Sequence, residues 1–256
     1  MVNVEHPPPP QDIFRPKIQA PARLGWRDRY NFLSIGTAAV IDLYTWTTPN
    51  GRKISIALEE LELAYTVHSI DIGKDEQFKA NFLKVSPNNR IPAIVDRESG
   101  ISLMESGAIL IYLADKTGML LPKSGEGHYR VLEWLMWQMG GPGPMFGQVH
   151  HFVKYNKGKA PYAEERYLKE AHRLYGVLDR RLAEHEYVAD DYSIADIAIW
   201  PWVSRYEWQT VDLHAMRTWS AGTRLSLGAP PCSGAIRCRR TLAKFLCPEL
   251  GERPIR

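Results

Sequence analysis

The order of apolar patterns between residues 40 and 70 constrains the fold of this 256-residue chain most strongly. Residues 40–44 form a short apolar run suited to a strand, and residues 65–70 alternate between apolar and polar side chains. Between them, residues 52–63 repeat their apolar side chains at helical spacing. A strand, a helix and a second strand within about 30 residues predict a βαβ unit with parallel strands.

The stretch that follows predicts two more strands and two more helices. A short helix is expected within residues 71–85, and strands at residues 91–95 and 101–104 are separated by a four-residue turn. Such a short connection requires antiparallel pairing. Ser106 is expected to cap a helix that closes near Gly118. The summed order, βαβ-α-ββα, predicts an α/β domain of the thioredoxin-like type over residues 39–122.

Helical patterns fill the next part of the chain. The breaker-rich segment 122–127 predicts a linker between two domains. Helices are expected at residues 129–139, from Met145 onward and at residues 162–183. Ser193 and Asp196 have the spacing of a capping box at the start of a buried helix. These patterns predict an all-α domain over residues 128–219.

The two ends of the chain lack these periods. Residues 1–38 include four consecutive prolines and are interpreted as an N-terminal extension, either an arm on a partner subunit or a disordered leader. Residues 220–256 are rich in small residues and then basic. They predict a divergent tail that could be disordered, either because this part of the sequence diverged or because its reading frame changed near residue 220.

Composition excludes several classes of function. The net charge is only +3 and both signs are spread along the chain, which argues against a nucleic-acid-binding surface. No apolar run approaches the roughly 18–20 residues of a membrane helix, and the start lacks a secretory signal pattern, so no membrane association and a cytoplasmic location are expected.

Cysteine placement decides where any thiol chemistry must originate. The three cysteines, Cys232, Cys238 and Cys247, all lie in the tail and do not form the pattern of a disulfide framework. Thioredoxin-like oxidoreductases carry a Cys-x-x-Cys pair after the first strand, where this chain has Thr48 and Gly51. A reactive thiol would therefore have to arrive with a ligand.

Four motifs resemble those of the cytosolic glutathione transferases, and the resemblance covers residues 40–219. They are Thr-Pro-Asn-Gly (48–51), Ser-Pro-Asn-Asn-Arg-Ile-Pro-Ala-Ile (86–94), Glu-Ser-Gly-Ala-Ile-Leu-Ile-Tyr-Leu (105–113) and Ser-Ile-Ala-Asp-Ile-Ala (193–198). Details such as Gly-Lys-Asp-Glu-Gln-Phe (73–78), adjacent histidines and Tyr-Ala-Glu-Glu-Arg-Tyr (162–167) resemble the bacterial Nu class. This resemblance implies a homodimeric, glutathione-dependent disulfide-bond reductase.

Two alternative functions remain open on the sequence. A glutathione transferase of the same fold can conjugate glutathione to an electrophile. The fold also serves as a non-catalytic interaction module. The expected small-molecule partners are therefore glutathione or glutathione disulfide as co-substrate, together with a small disulfide or an electrophile.

The resemblance assigns the catalytic role to Thr48 and Asn50. Hydrogen-bond donors lower the pKa of a thiol because they stabilise its thiolate form, and both residues lie where the first helix begins. Thr48 could instead only cap that helix. Tyr44, Thr45 and Thr47 are rival hydroxyls close to Thr48 in the sequence.

The resemblance also assigns glutathione contacts. It implies a cis bond before Pro92, which would free the backbone of Ile91 to pair with the cysteinyl part of the tripeptide. Ser106 and the helix start would hold the γ-glutamyl carboxylate, and Glu105 the ammonium group. Further contacts to the ligand's ends are expected from two residues, Gln77 and Arg90, although Arg90 could be a solvated loop charge.

Three residues of the helical domain are candidate pocket residues. His150 and His151 are adjacent, hence about 100° apart on a helix, which makes them a poor pair of metal ligands, and no metal is expected. At least one of them could line the pocket. Arg166 could reach the glutathione site or could be an ordinary surface charge.

Overall fold

The thioredoxin-like layout is confirmed by a four-stranded mixed sheet. The computed structural model describes residues 40–213, so the predicted N-terminal extension, the tail and the end of the predicted helical domain lie outside the described residues. The strands lie in the order β2-β1-β3-β4. They are β1 (Ile41–Thr45), β2 (Tyr65–Ser69), β3 (Ala93–Asp96) and β4 (Ser102–Met104). β1 and β2 are parallel, whereas β1 with β3 and β3 with β4 are antiparallel.

The first helix is placed by its capping turn. α1 (Pro49–Glu60) begins three residues earlier than predicted, because Pro49 occupies the first helical position, where its missing N–H costs nothing. Thr48 is its N-cap. Ile54, Ala57 and Leu58 are fully buried in the core. Beyond β2 the predicted short helix consists of two 3₁₀ turns (Ile72–Lys74 and Glu76–Phe78) and α2 (Ala80–Leu83).

The start of the third helix corrects one sequence expectation. α3 (Ser106–Thr117) has Glu105, not Ser106, at its N-cap, and the Glu105 side chain makes no capping hydrogen bond. Ser106 is therefore the first helical residue and does not cap with its hydroxyl. The helix ends as expected at Gly118, which adopts the left-handed conformation at φ 71°.

The rest of the described chain is helical. It contains α4 (Glu126–Gly140), α5 (Pro142–Val149), a π-helical turn (His150–Tyr155), α6 (Pro161–Glu184), α7 (Ile194–Val203) and a 3₁₀ turn (Tyr206–Gln209). α5 begins three residues before the predicted Met145. The capping box at α7 is present, with Ser193 and Asp196 as its partners. None of the helices between residues 40 and 213 combines the length and apolarity needed to cross a membrane.

α7 joins the two parts of the molecule. It packs against α1 on one side and against α4 on the other. Its side chains Ile194, Ile197 and Ile199 are at most 1% exposed, and burial of each contributes about 1.5–3 kcal/mol. A continuous apolar core results, and it fixes the start of α1 against the start of α3 and the end of α4.

Candidate active site

A cleft of about 250 Å³ lies where the starts of α1 and α3 meet the end of α4. It is lined by Asn50, Arg90, Ile91, Pro92, Met104, Glu105, Ser106 and Met139. Five residues predicted from the sequence are therefore brought together, although they come from three separate segments of the chain.

The turn before α1 holds Thr48 beside this cleft. Thr48 is half-buried, and its Oγ1 accepts a hydrogen bond from the N–H of Gly51 at 3.1 Å. Because the oxygen is the acceptor, the hydroxyl hydrogen remains available to a ligand. Thr48 is not on the cleft wall itself, but it precedes Asn50 by two residues. Gly51 is required here, since a Cβ would lie 2.4 Å from the carbonyl oxygen of Trp46.

The three rival hydroxyls are less well placed to reach a ligand in the cleft. The ring of Tyr44 stacks on His68 with 4.6 Å between centroids. Thr45 is buried and donates to the carbonyl of Trp46 at 3.4 Å. Thr47 is exposed, and its carbonyl accepts a hydrogen bond from Arg205.

Asn50 is oriented by a residue that the sequence did not single out. Its Oδ1 accepts a hydrogen bond from Nε1 of Trp202 at 3.0 Å. The amide Nδ2 is then the group left for the cleft, so Asn50 is set as a donor. Trp202 looks like core packing in the sequence. The only available signal is that a buried indole N–H needs an acceptor.

The loop before β3 presents a free backbone edge. The Ile91–Pro92 bond is cis, as the resemblance implies. Among residues 40–213, neither the N–H nor the carbonyl of Ile91 takes part in a hydrogen bond. An extended peptide could therefore pair with both groups. The loop is braced by Ser86, whose hydroxyl donates to the carbonyl of Arg90 at 2.7 Å.

Glu105 and Ser106 form the opposite wall. Glu105 is exposed and has φ 71° and ψ 112°, a backbone conformation that is costly for a residue other than glycine. Ser106 is 3% exposed and lies at the start of α3, where unpaired helix N–H groups favour an anion. A carboxylate and an anion-binding helix start thus lie side by side.

A buried lysine lies behind this wall and is absent from the sequence-based site. Lys53 is 1% exposed, and its Nζ donates to Oε1 of Gln138 at 2.7 Å and to Oγ of Ser106 at 3.3 Å. Burial lowers the pKa of its amine to about 7, while the charge of Glu105 opposes this shift. One sequence signal exists: Lys53 precedes the buried Ala57 by four residues, so both share one helix face.

A guanidinium group also contacts the turn before α1. Arg205 donates to the carbonyl of Thr47 at 3.2 Å and lies over the Trp208 ring. Burial lowers the pKa of Arg205 to about 10, and the charge of Arg52 adds to this shift. Positive charge at this position favours a thiolate over a thiol.

Besides Thr48, four predicted residues do not line this cleft. Gln77 is 8% exposed in the second 3₁₀ turn, and its Nε2 donates to Asp75 at 3.4 Å. His151 is exposed and contacts Phe152 edge-on. Arg166 is exposed on α6, in a separate groove of about 760 Å³.

His150, the fourth of these residues, belongs to the interior of the helical part. Its Nε2 accepts a hydrogen bond from the Gln209 side chain at 3.1 Å, and its ring stacks on Trp202. Burial, with a smaller contribution from the charge of Arg205, lowers its pKa to about 4, so the imidazole is neutral. Across residues 40–213, no group of three or more His, Cys, Asp or Glu side chains could hold a metal ion.

A thioredoxin-like domain with a cis-proline edge, an anion-binding helix start and a helical partner domain defines the glutathione transferase class. The chain belongs to the glutathione S-transferase family. Residues 39–115 match the family model described as glutathione S-transferase, N-terminal domain.

Two curated relatives are both named disulfide-bond oxidoreductases. Disulfide-bond oxidoreductase YfcG of Escherichia coli is 49% identical over 189 residues, which are 70% of this chain and 88% of that protein. Disulfide-bond oxidoreductase YghU of the same organism is 43% identical over 171 residues, covering 63% of this chain and 59% of that protein.

A solved structure is similar over most of the chain. It is a glutathione transferase from Pseudomonas putida with one glutathione disulfide bound per subunit. It is 40% identical, has a TM-score of 0.62, and the match covers 87% of this chain and 91% of that one.

Proposed function

We propose that this protein is a glutathione-dependent disulfide-bond reductase that binds glutathione in the cleft between α1 and α3. The observation that carries the proposal is the convergence on one cleft of Asn50, the unpaired edge of Ile91 and the start of α3. The described residues contain no cysteine, so the nucleophilic sulfur comes from the tripeptide. Two relatives that are named disulfide-bond oxidoreductases support the choice of reaction.

Glutathione has a distinct partner for each of its parts. The γ-glutamyl carboxylate is held by the Ser106 hydroxyl and the N–H groups of α3, and its ammonium group by Glu105. The cysteinyl backbone pairs with Ile91. Arg90 and Gln77 are proposed for the glycine end, and Gln77 would have to turn its amide toward the ligand to make this contact.

Thr48 and Asn50 ionise the thiol in this proposal. The Thr48 hydroxyl and the Asn50 Nδ2 would each donate a hydrogen bond to the sulfur. A bond to a charged group contributes about 1.5–3 kcal/mol, and roughly 1.4 kcal/mol corresponds to one pKa unit. One such bond therefore lowers a thiol pKa of about 8.5 to roughly neutral.

The reaction consumes two molecules of glutathione. The bound thiolate attacks one sulfur of the substrate disulfide, a glutathione mixed disulfide forms, and the other sulfur leaves as a thiolate that takes a proton from water. A second glutathione thiolate then attacks the glutathione sulfur of the mixed disulfide. Glutathione disulfide forms, and the second substrate sulfur leaves. The two glutathione molecules supply both electrons.

A coupled assay tests the proposal. We expect glutathione-dependent reduction of hydroxyethyl disulfide by the purified chain, followed as NADPH consumption by glutathione reductase. Thr48→Ala should reduce the rate at least tenfold. Turnover of a chlorinated nitroaromatic without disulfide reduction would indicate a conjugating transferase instead. No retention on immobilised glutathione would indicate a non-catalytic interaction module.

We also propose a cytoplasmic homodimer. α4 and α6 carry exposed aromatic and sulfur side chains, with Tyr129 at 70%, Met136 at 53% and Tyr162 at 77% exposure. A second copy would bury part of this apolar surface. Arg166 lies in a groove on α6, so its proposed contact with glutathione would have to be made to the partner's ligand. Light scattering of the purified protein tests the dimer.

A further inference from the structure

The feature that the proposed chemistry does not use is the amine of Lys53. Its side chain is one of the largest fully buried groups in residues 40–213, and no carboxylate of these residues lies within salt-bridge distance of it. Its neighbours are the side-chain Oε1 of Gln138, the Ser106 hydroxyl and the Met139 sulfur, the last at 3.4 Å. A buried cation is costly unless it is paired, so the missing partner needs an explanation.

The hydrogen bonds around Lys53 determine the direction in which the hydroxyl hydrogen of Ser106 points. An ammonium group only donates, so the Ser106 oxygen must act as acceptor toward Nζ. The Ser106 hydrogen is then directed away from Lys53, toward the cleft or toward the sulfur of Met139 at 3.7 Å. A ligand carboxylate at the start of α3 would receive that hydrogen and would have the charge of Lys53 directly behind it.

We infer that Lys53 is a positioning residue whose buried ammonium group is the counter-charge of the γ-glutamyl carboxylate, so that glutathione binding is coupled to uptake of a proton. The inference rests on the proposed function, because it takes the γ-glutamyl group to bind at Ser106. Lys53 acts through Ser106 and through its charge, and it need not touch the ligand.

Among the charged groups near Ser106, Lys53 is the one whose protonation we expect to change when a ligand carboxylate binds. Glu105 at the start of α3 is the charge that raises its pKa against the larger effect of burial. α4 faces it with neutral side chains, among them Gln138. The carboxylate of Asp196 on α7 is engaged in its own capping box, and Arg90 lies on the outer cleft wall.

The pKa of Lys53 in the ligand-free protein determines how the affinity for glutathione changes with pH. With a pKa of about 7, Lys53 is charged below neutral pH and largely uncharged above it when the cleft is empty. A bound carboxylate favours the charged form and raises this pKa. Below about pH 7 the lysine is already protonated, so it does not make the affinity depend on pH. Above it, affinity falls by up to about tenfold per pH unit, because a proton must be taken up.

Titration calorimetry with S-methylglutathione tests this, since that probe has no thiol to ionise. We expect constant affinity between about pH 6 and pH 7, a fall of several-fold by about pH 8.5, and uptake of up to one proton per site, measured in buffers of different ionisation enthalpy. Lys53→Met should bind at least tenfold more weakly at about pH 6.5 and take up less than the wild-type proton count at about pH 8, because only the amine of the probe then titrates. Lys157→Met, which removes an exposed lysine, is the matched control and should behave as wild type.

The outcomes separate this inference from the proposed function. Equal proton uptake by wild type and Lys53→Met at about pH 8 would overturn the role of Lys53 and leave the function intact. Wild type that does not bind the probe would overturn both. If Lys53→Met does not fold, Lys53→Gln, which also lacks the titrating amine, takes its place in the comparison. In the disulfide assay the variant should raise KM for glutathione and change kcat little, whereas equal effects on both would contradict a role in ground-state binding.

Discussion

The indole N–H of Trp202 donates a hydrogen bond to Oδ1 of Asn50 across the junction between α7 and α1. Trp202 is 7% exposed, its carbonyl accepts a hydrogen bond from Gln209, and its ring stacks on His150. The helical part of the molecule therefore determines which end of the Asn50 amide faces the cleft. The donor that the proposed reaction needs depends on a residue far from the glutathione-binding domain in sequence.

Trp202→Phe should separate orientation from packing. Phenylalanine keeps an aromatic ring in the interior but removes the N–H, so the Asn50 amide is free to rotate. Loss of one hydrogen bond predicts about 1 kcal/mol less stability, and we expect a fall in kcat/KM of roughly three- to tenfold. Trp200→Phe, at a half-buried position on the same helix, is the control and should retain kcat/KM. An unchanged kcat/KM for Trp202→Phe would refute the orienting role.

Thr48→Val should raise the pKa of the bound glutathione thiol. Valine has nearly the shape of threonine but cannot donate a hydrogen bond, so about 1.5–3 kcal/mol of thiolate stabilisation is lost, equivalent to roughly one to two pKa units. Ultraviolet absorbance of the thiolate during a pH titration measures the change. Loss of the helix cap also costs about 1 kcal/mol of stability. Thr48→Ser should restore both properties, and a variant that lost only stability would make Thr48 a cap and nothing more.

Local patterns were sufficient to predict the fold class. The βαβ-α-ββα order depends on periods within single segments, and the structure has it. Boundaries moved by a few residues because caps act at single positions: Pro49 starts α1 early, and Glu105 displaces Ser106 from the N-cap. This difference matters for function, since a Ser106 hydroxyl that does not cap its helix can accept from Lys53 and donate its hydrogen to a ligand.

Only the site residues that lie in short sequence motifs could be predicted. Asn50, Ile91 and Ser106 lie in recognisable motifs and line one cleft. Trp202 is 152 residues from Asn50, a separation at which no spacing rule applies. Lys53 lies in an amphipathic helix, where a lysine is normally expected to face water. Its partner Gln138 is 85 residues away. Neither contact is visible before the chain has packed.

Gly51→Ala tests how tightly the turn before α1 is packed. A Cβ at position 51 would lie 2.4 Å from the Trp46 carbonyl and 2.4 Å from Oγ1 of Thr45, so the turn must shift. Overpacking of this kind costs about 1–3 kcal/mol, and we expect a lower unfolding midpoint in urea together with loss of glutathione binding. Gly140→Ala in α4 meets no atom within 4 Å and should be neutral or stabilising by up to about 1 kcal/mol. Equal midpoints for the two variants would contradict the crowded turn.

The buried, neutral His150 predicts that mild acid weakens the fold. Its pKa of about 4 lies below the ordinary 6.5, so the unfolded chain binds a proton more readily, and stability is lost as pH falls from 6.5 toward 4. Between about pH 8 and pH 5 the loss due to this residue is about 2 kcal/mol, measured by urea unfolding. His150→Gln keeps an acceptor for Gln209 without a titrating ring, so it should lose about 2 kcal/mol less than wild type over this interval. His151→Gln removes the exposed neighbour and should retain the wild-type pH dependence of stability. If His151→Gln lost that dependence, the acid sensitivity would come from His151, and the role given to His150 would be wrong.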